Sequence, residues 1–300
     1  MKAGTVAVGK ALGCWGAAVW AAFAGAPAPA LQGVESGLLP LDGGAVFYEV
    51  RGAGPALVLL HDGLLHRETW NAQWESLAKE HRVVRYDRRG YGRSPAPAKP
   101  FSDAADLAKL ADHLKLPRFT LIGCSAGGAA AIEFALAHPA RVERLVLVGP
   151  VVDGLGFSSH FQSRNAAAFR PLAERGDVGG TVSAWEQDPY LIAPRYESAK
   201  REFARLMREN PHNLTGIPAR EALRERAPMP KALKRLGEIR APTLILVGEG
   251  DIPDVHAHCG AIEAGIAGSR RVVVPTSGHL VHMEQPAEFD RLVLEFLGGR

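Results

Sequence analysis

Cysteine is scarce. The 300-residue chain has three, Cys14, Cys124 and Cys259, too few for a disulfide scaffold or a cysteine-based zinc site. It has no run of Lys/Arg of the kind that lines a nucleic-acid groove. Net charge is only +3, from 35 cationic and 32 anionic side chains. Acidic residues are absent before Glu35, where the only side-chain charges are Lys2 and Lys10. An uninterrupted apolar run of the roughly 20 residues needed to span a bilayer is also missing. Pro27 and Pro29 break the small, apolar stretch that begins at Ala11. A basic start, an apolar middle and the small-x-small site Ala28-Pro29-Ala30 predict a secretory signal peptide over 1–30, hence export and no stable membrane anchor. Its removal takes away two lysines and no acid, leaving +1.

The full chain has an ordinary globular composition, 47% hydrophobic and 22% charged, and is long enough to bury a sizeable core. Short apolar runs alternate with helical patterns. Strands are expected at Ala45–Val50, Ala56–Leu60, Val83–Tyr86, Phe119–Ile122 and Val142–Val148, and again at Thr243–Val247 and Val272–Val274. Helical segments between them imply a mostly parallel sheet covered on both faces. The rhythm breaks over 151–240, which lacks strong strand signals and is rich in Arg, Glu and Ala. The expected division is a core in two parts, 31–150 and 241–300, with a helical cap over 151–240. That cap carries 15 Lys/Arg and 11 Asp/Glu. A basic lid of this kind favours carboxylate-bearing substrates, or simply pairs with the core as solvated helices. Phe157, Phe161, Phe169, Trp185 and Tyr190 are its apolar pocket candidates.

Gly123-Cys124-Ser125-Ala126-Gly127 matches G-x-S-x-G between the strand FTLI and an Ala-rich helix. Such a turn lifts a serine above the sheet at a helix N-terminus. A serine hydroxyl needs a base, and the base an orienting group. His279, in Ser277-Gly278-His279, is the base candidate. Asp251, after TLILV, is the orienting candidate, with Asp254 and Asp153 as competitors. The N–H groups of Ala126 and of Gly63, in the loop after ALVLL, are the expected oxyanion donors. His61 and Trp70 are assigned to the substrate pocket together with Phe157, Phe161 and Trp185, although Trp70, at helical spacing from Trp74, reads as core before it reads as pocket border. His256 and His258 form H-x-H, read as surface or pocket rim rather than metal ligands. Cys124 reads as a buried neighbour, and Arg88 and Arg89 as braces for the loop after their strand.

With these residues in view, the chain over 31–300 resembles the α/β-hydrolase superfamily. The resemblance is carried by His61-Asp62-Gly63, Asp87-x-x-Gly90-x-Gly92-x-Ser94, the Ser125 elbow, Gly248-x-x-Asp251, Gly278-His279 and Glu284-Gln285-Pro286. It implies an α/β fold with a helical cap inserted after the sixth strand. It implies a serine hydrolase acting on a small or medium ester or lactone through an acyl-enzyme, with no metal or organic cofactor. A carbon–carbon hydrolase of the ring-cleavage type and a non-catalytic ligand-binding protein of the same fold are the alternatives. Relatives with aspartate at the elbow, the dehalogenases and epoxide hydrolases, are excluded by Ser125. The chain departs from the family at Asp62, where glycine is usual; a carboxylate there opposes an oxyanion unless it is turned away or paired.

Overall fold

The computed structural model describes residues 1, 33–225 and 229–299. The signal-peptide reading of 1–30 therefore falls almost entirely outside the described residues. Among the described residues eight strands form one sheet: β1 Glu35–Leu41, β2 Gly44–Arg51, β3 Ala56–Leu60, β4 Arg82–Asp87, β5 Phe119–Cys124, β6 Val142–Val148, β7 Thr243–Gly248 and β8 Arg270–Val274. Their spatial order is β1-β2-β4-β3-β5-β6-β7-β8. β2 pairs antiparallel with β1 and β4, and all other neighbours are parallel. β1 has no counterpart in the sequence reading, because Gly37 and Pro40 punctuate it. An edge strand tolerates both, since one side of its backbone has no ladder to complete.

The helices are α1 Asn71–Leu77, α2 Asp103–His113, α3 Ala126–Ala137, α4 Ser159–Arg175, α5 Val178–Glu186, α6 Glu197–Glu209, α7 His212–Thr215, α8 Ile217–Leu223, α9 Pro253–Gly265, α10 Val281–Glu284 and α11 Pro286–Leu297. Side chains of a strand alternate between faces, and both faces here are apolar. Val58 and Leu60 of β3 join one core with α2, α3 and α9, whereas Leu57 and Leu59 join the other with α1, α11 and α6. Burial on both sides explains the continuous apolar runs of the central strands. Helices α4 to α8 are inserted between β6 and β7.

Register aligns the carboxyl ends of the central strands. Leu60 lies beside Gly123, Cys124 beside Val148, Val148 beside Leu246, and Gly248 beside Val274. The loops carrying Asp62, Ser125, Asp251 and His279 consequently leave the sheet at one edge, the usual ligand edge of a parallel sheet. Among the described residues, no helix is long and apolar enough to cross a membrane.

Candidate active site

Ser125 ends the turn from β5 into α3 with φ 52° and ψ −116°. A non-glycine residue held there stores backbone strain of about 1–3 kcal/mol, which persists only where the surroundings over-determine it. They do so here. A Cβ at Gly127 would sit 2.4 Å from the His61 carbonyl oxygen and 2.6 Å from that of Leu60, so only glycine lets α3 start this close to β3. Ala126 is the first residue of α3, and its N–H has no intrahelical acceptor. Gly63 faces it: a Cβ built on Gly63 would lie 3.6 Å from that of Ala126. The hydroxyl of Tyr91 donates to the Gly63 carbonyl at 3.0 Å and holds that peptide in place.

His279 Nδ1 lies 2.8 Å from Asp251 Oδ2, and Asp251 Oδ1 accepts from the Ile252 N–H at 2.7 Å. The competing aspartates are engaged elsewhere. Asp254 accepts from the Ser158 N–H and hydroxyl, and Asp153 pairs with Lys231. Burial pushes His279 down, but the charge and hydrogen bond of Asp251, helped by Asp62, outweigh it and leave His279 above its ordinary value. Gly149, which the sequence reading missed, makes room for this pair. Its φ is +49°, and a Cβ there would fall 2.8 Å from His279 Nδ1 and 3.2 Å from Asp251 Oδ2.

Ser125, Asp251, His279, Asp62 and Gly63 line one cavity of about 210 Å³. Its other walls are Leu64, Val151, Phe161, Arg164, Asn165, Phe169, Trp185, Leu191, Ile217, Ile252 and Val255. Of the expected pocket residues, Phe161, Phe169 and Trp185 belong to it and Tyr190 does not. Nor does Trp70. It is fully buried, its ring 4.1 Å from His282 and 5.9 Å from Phe289, as core packing at helical spacing demands. His61 is also buried behind the loop. Its Nε2 accepts from the Arg88 N–H at 3.0 Å, which leaves Nδ1 to donate to the Asp62 carbonyl at 2.8 Å. Burial and then Arg88 hold it well below the usual histidine value, as a neutral brace. Phe157 stacks behind Phe161 at 4.2 Å and against His258 at 4.8 Å, away from the cavity wall. His258 is therefore buried, not at a rim, and accepts from the Val152 N–H. Among the described residues no cluster of His, Cys, Asp and Glu could hold a metal. Cys124 and Cys259 are buried and unpaired.

Asp62 Oδ1 is turned onto backbone donors, the N–H groups of Leu64 at 2.7 Å and Leu65 at 2.9 Å, while Oδ2 is buried with no hydrogen-bond partner. The aspartate thus shapes the loop that carries Gly63. Arg88 reaches Asp103 and the Asp62 carbonyl, and Arg89 makes a two-point pair with Asp106 at 2.6 and 2.7 Å, so both arginines brace the site loops.

The helical insertion is tied directly to the His279 loop. The His279 N–H donates to the carbonyls of Tyr190 and Leu191, and Asp188 accepts from the N–H groups of both residues. Arg164 holds Asp188 at 2.5 and 2.8 Å. Glu284 completes the tie, accepting from the N–H groups of Gly278 and Ala193. Its carboxyl is pushed up to about 7 by burial, against the pull of those hydrogen bonds. A carboxyl raised on folding favours the folded state fully below its ordinary pKa, and loses that contribution as pH climbs through about 7. From pH 5 to pH 8, wild type should lose roughly 2–3 kcal/mol relative to Glu284→Gln, at 1.36 kcal/mol per pKa unit. Urea unfolding of both proteins at the two pH values reads the difference; parallel behaviour counts against the assignment.

A family model described as alpha/beta hydrolase fold matches residues 55–286. A Bacillus subtilis (strain 168) protein, provisionally named 2-succinyl-6-hydroxy-2,4-cyclohexadiene-1-carboxylate synthase, is 32% identical over 277 residues, covering 84% of this chain and 95% of its own. The 2-hydroxy-6-oxo-6-phenylhexa-2,4-dienoate hydrolase of Comamonas testosteroni is 28% identical, over 85% of this chain and 92% of its own. Among solved structures, a thermophilic esterase from Thermogutta terrifontis superimposes with a TM-score of 0.73 at 26% identity, over 88% of this chain and 98% of that one.

Proposed function

The chain belongs to the alpha/beta hydrolase fold family, and on that premise we propose that it is a serine hydrolase cleaving a carboxylic ester or lactone of a small to medium substrate. The observation that carries the reading is a serine on a strained elbow sharing one cavity with an aspartate-held histidine. In the proposed reaction, His279 Nε2 takes the proton of Ser125 as Oγ attacks the carbonyl carbon. The N–H groups of Gly63 and Ala126 receive the oxyanion. Collapse expels the alcohol, which takes the proton from His279, and leaves an acyl-serine. Water, deprotonated by His279, then releases the acid and restores Ser125. Asp251 orients His279 and stabilises its cation. Helices α4, α5 and α8 act as a lid, contributing Phe161, Arg164, Phe169, Trp185 and Ile217 to the cavity.

A second reading, carbon–carbon cleavage beside a carbonyl, is favoured by Arg164. Asp188 holds its Nε and Nη2, and among the described residues Nη1 reaches Asn165 alone, at 3.3 Å, which leaves a guanidinium edge on the cavity wall to receive a substrate carboxylate. The named relatives are described as enzymes, so the non-catalytic reading gains nothing from them.

The test is labelling of the purified protein with an alkylfluorophosphonate, then a screen of p-nitrophenyl esters, lactones and vinylogous diketones. Wild type that neither labels nor turns over any of these defeats the proposal.

Asp62 gives a narrower prediction. Each hydrogen bond to its carboxylate contributes about 1.5–3 kcal/mol to holding the loop. Asp62→Ala should lower kcat/KM at least tenfold, whereas Asp62→Asn, which keeps one acceptor oxygen, should stay nearer wild type. Equal effects of the two would point to charge rather than loop shape.

Export is proposed from the basic start, apolar middle and Ala28-Pro29-Ala30 site alone. N-terminal sequencing of protein secreted by a bacterial host should begin near Leu31. Retention of Met1 in the cytoplasm would defeat it.

A further inference from the structure

The catalytic cavity, at about 210 Å³, is smaller than the roughly 300–1,000 Å³ usual for ligand pockets. A second recess of about 420 Å³ adjoins it. One wall is Phe169, Leu172 and Ala173 of α4, and the other is Leu214, Ile217 and Pro218 of α7 and α8. Thr215 is the one lining residue with a polar side chain. Phe169 and Ile217 also wall the catalytic cavity, so these two side chains stand between the two spaces. The cavity's polar lid groups, Arg164 and Asn165, do not line the recess, and it contains no charged residue. A ligand that reaches the recess from the cavity has to run past Phe169 and Ile217 and meets an almost wholly apolar lining.

We propose that this groove binds the distal part of an unbranched alkyl acyl chain, making the enzyme selective for medium-chain over short-chain acyl esters or lactones. The inference rests on the ester-hydrolase reading and names its substrate class. The carbonyl stands at Ser125, the first carbons fill the cavity, and the remaining methylenes replace water along α4 and α8. Each methylene removed from water is favourable, so selectivity should climb with chain length until the groove is full.

The experiment compares p-nitrophenyl acetate with p-nitrophenyl octanoate, and measures binding of sodium octanoate to the full chain by calorimetry. Wild type should show kcat/KM at least tenfold higher for octanoate than for acetate. Ala173→Trp fills the groove from an exposed position on α4, and should reduce the octanoate-to-acetate ratio at least tenfold and weaken octanoate binding in parallel. Thr215→Asp, at an exposed position of α7, should do the same by placing a charge in the groove. Arg170→Trp, exposed on α4 outside the groove wall, should leave the ratio within twofold. A wild-type ratio near one, or a ratio unmoved by both groove variants, overturns the proposal. If no ester is cleaved, the ester-hydrolase reading falls, and octanoate binding decides the groove separately. No binding, or equal binding by wild type and Ala173→Trp, overturns it.

Discussion

Ser125→Ala is expected to reduce ester hydrolysis by on the order of 10³-fold or more and to abolish fluorophosphonate labelling. The loss should fall on kcat, since the hydroxyl supplies the attacking atom while the cavity walls that bind substrate remain. Some rate over water should survive through the Gly63 and Ala126 donors. The variant should fold. Alanine also carries a Cβ, so the elbow at φ 52° is strained to a similar degree in both proteins. Cys124 cannot substitute for the lost nucleophile. It is fully buried on β5, and burial, with the nearby charges of Asp62 and Asp251, raises its thiol far above the range where it ionises. Full labelling or activity in Ser125→Ala defeats the assignment.

Asp251→Asn should be nearly as damaging, with kcat lower by about 10³–10⁴-fold, because an amide can hold the wrong imidazole tautomer. It also makes a signed prediction about pH. His279 must be neutral to accept the serine proton, so activity rises as pH passes its pKa. In wild type Asp251 more than offsets the burial of His279, placing that acid limb above the ordinary histidine value. With the charge removed, burial dominates and the limb should move to lower pH even as the plateau falls. The groups facing His279 that remain are Asp62, Arg164, His282 and Glu284, and they are common to both proteins. A profile of kcat/KM against pH for both proteins checks plateau and limb together. Asp254→Asn is the contrast: its carboxylate anchors Ser158 before α4, so the limb should stay where it is. A limb that stays put in Asp251→Asn, or a plateau within threefold of wild type, rules Asp251 out.

The elements nearest the chemistry were the most legible. G-x-S-x-G between FTLI and an Ala-rich helix located the elbow, because the turn tolerates only small neighbours. The order of Ser125, Asp251 and His279 followed from polar residues placed just after apolar runs. β1 escaped notice because an edge strand carries Gly37 and Pro40 at little cost. His61 and Phe157 are misplaced for a related reason. Local pattern shows that a residue stands beside a site, but not which way its side chain turns.

By itself, the sequence determined seven of the eight strands described, the alternation that covers both faces of their sheet, and the three residues at its carboxyl edge. Each depends on local rules: apolar runs that need burial, small residues at a tight turn, polar residues at strand ends. Only the tertiary structure decided the rest. Strand order set which loops meet. Packing showed that Gly149 clears space for His279, that Asp62 turns onto the backbone of its own loop, and that Asp254 and Asp153 are engaged elsewhere. It also brought Arg164, Asp188 and Glu284, up to 120 residues apart, into one tie between the insertion and the histidine loop. Such contacts join distant parts of the chain, and their energy comes from burial and hydrogen bonds formed only on folding. No local pattern of residues carries that information.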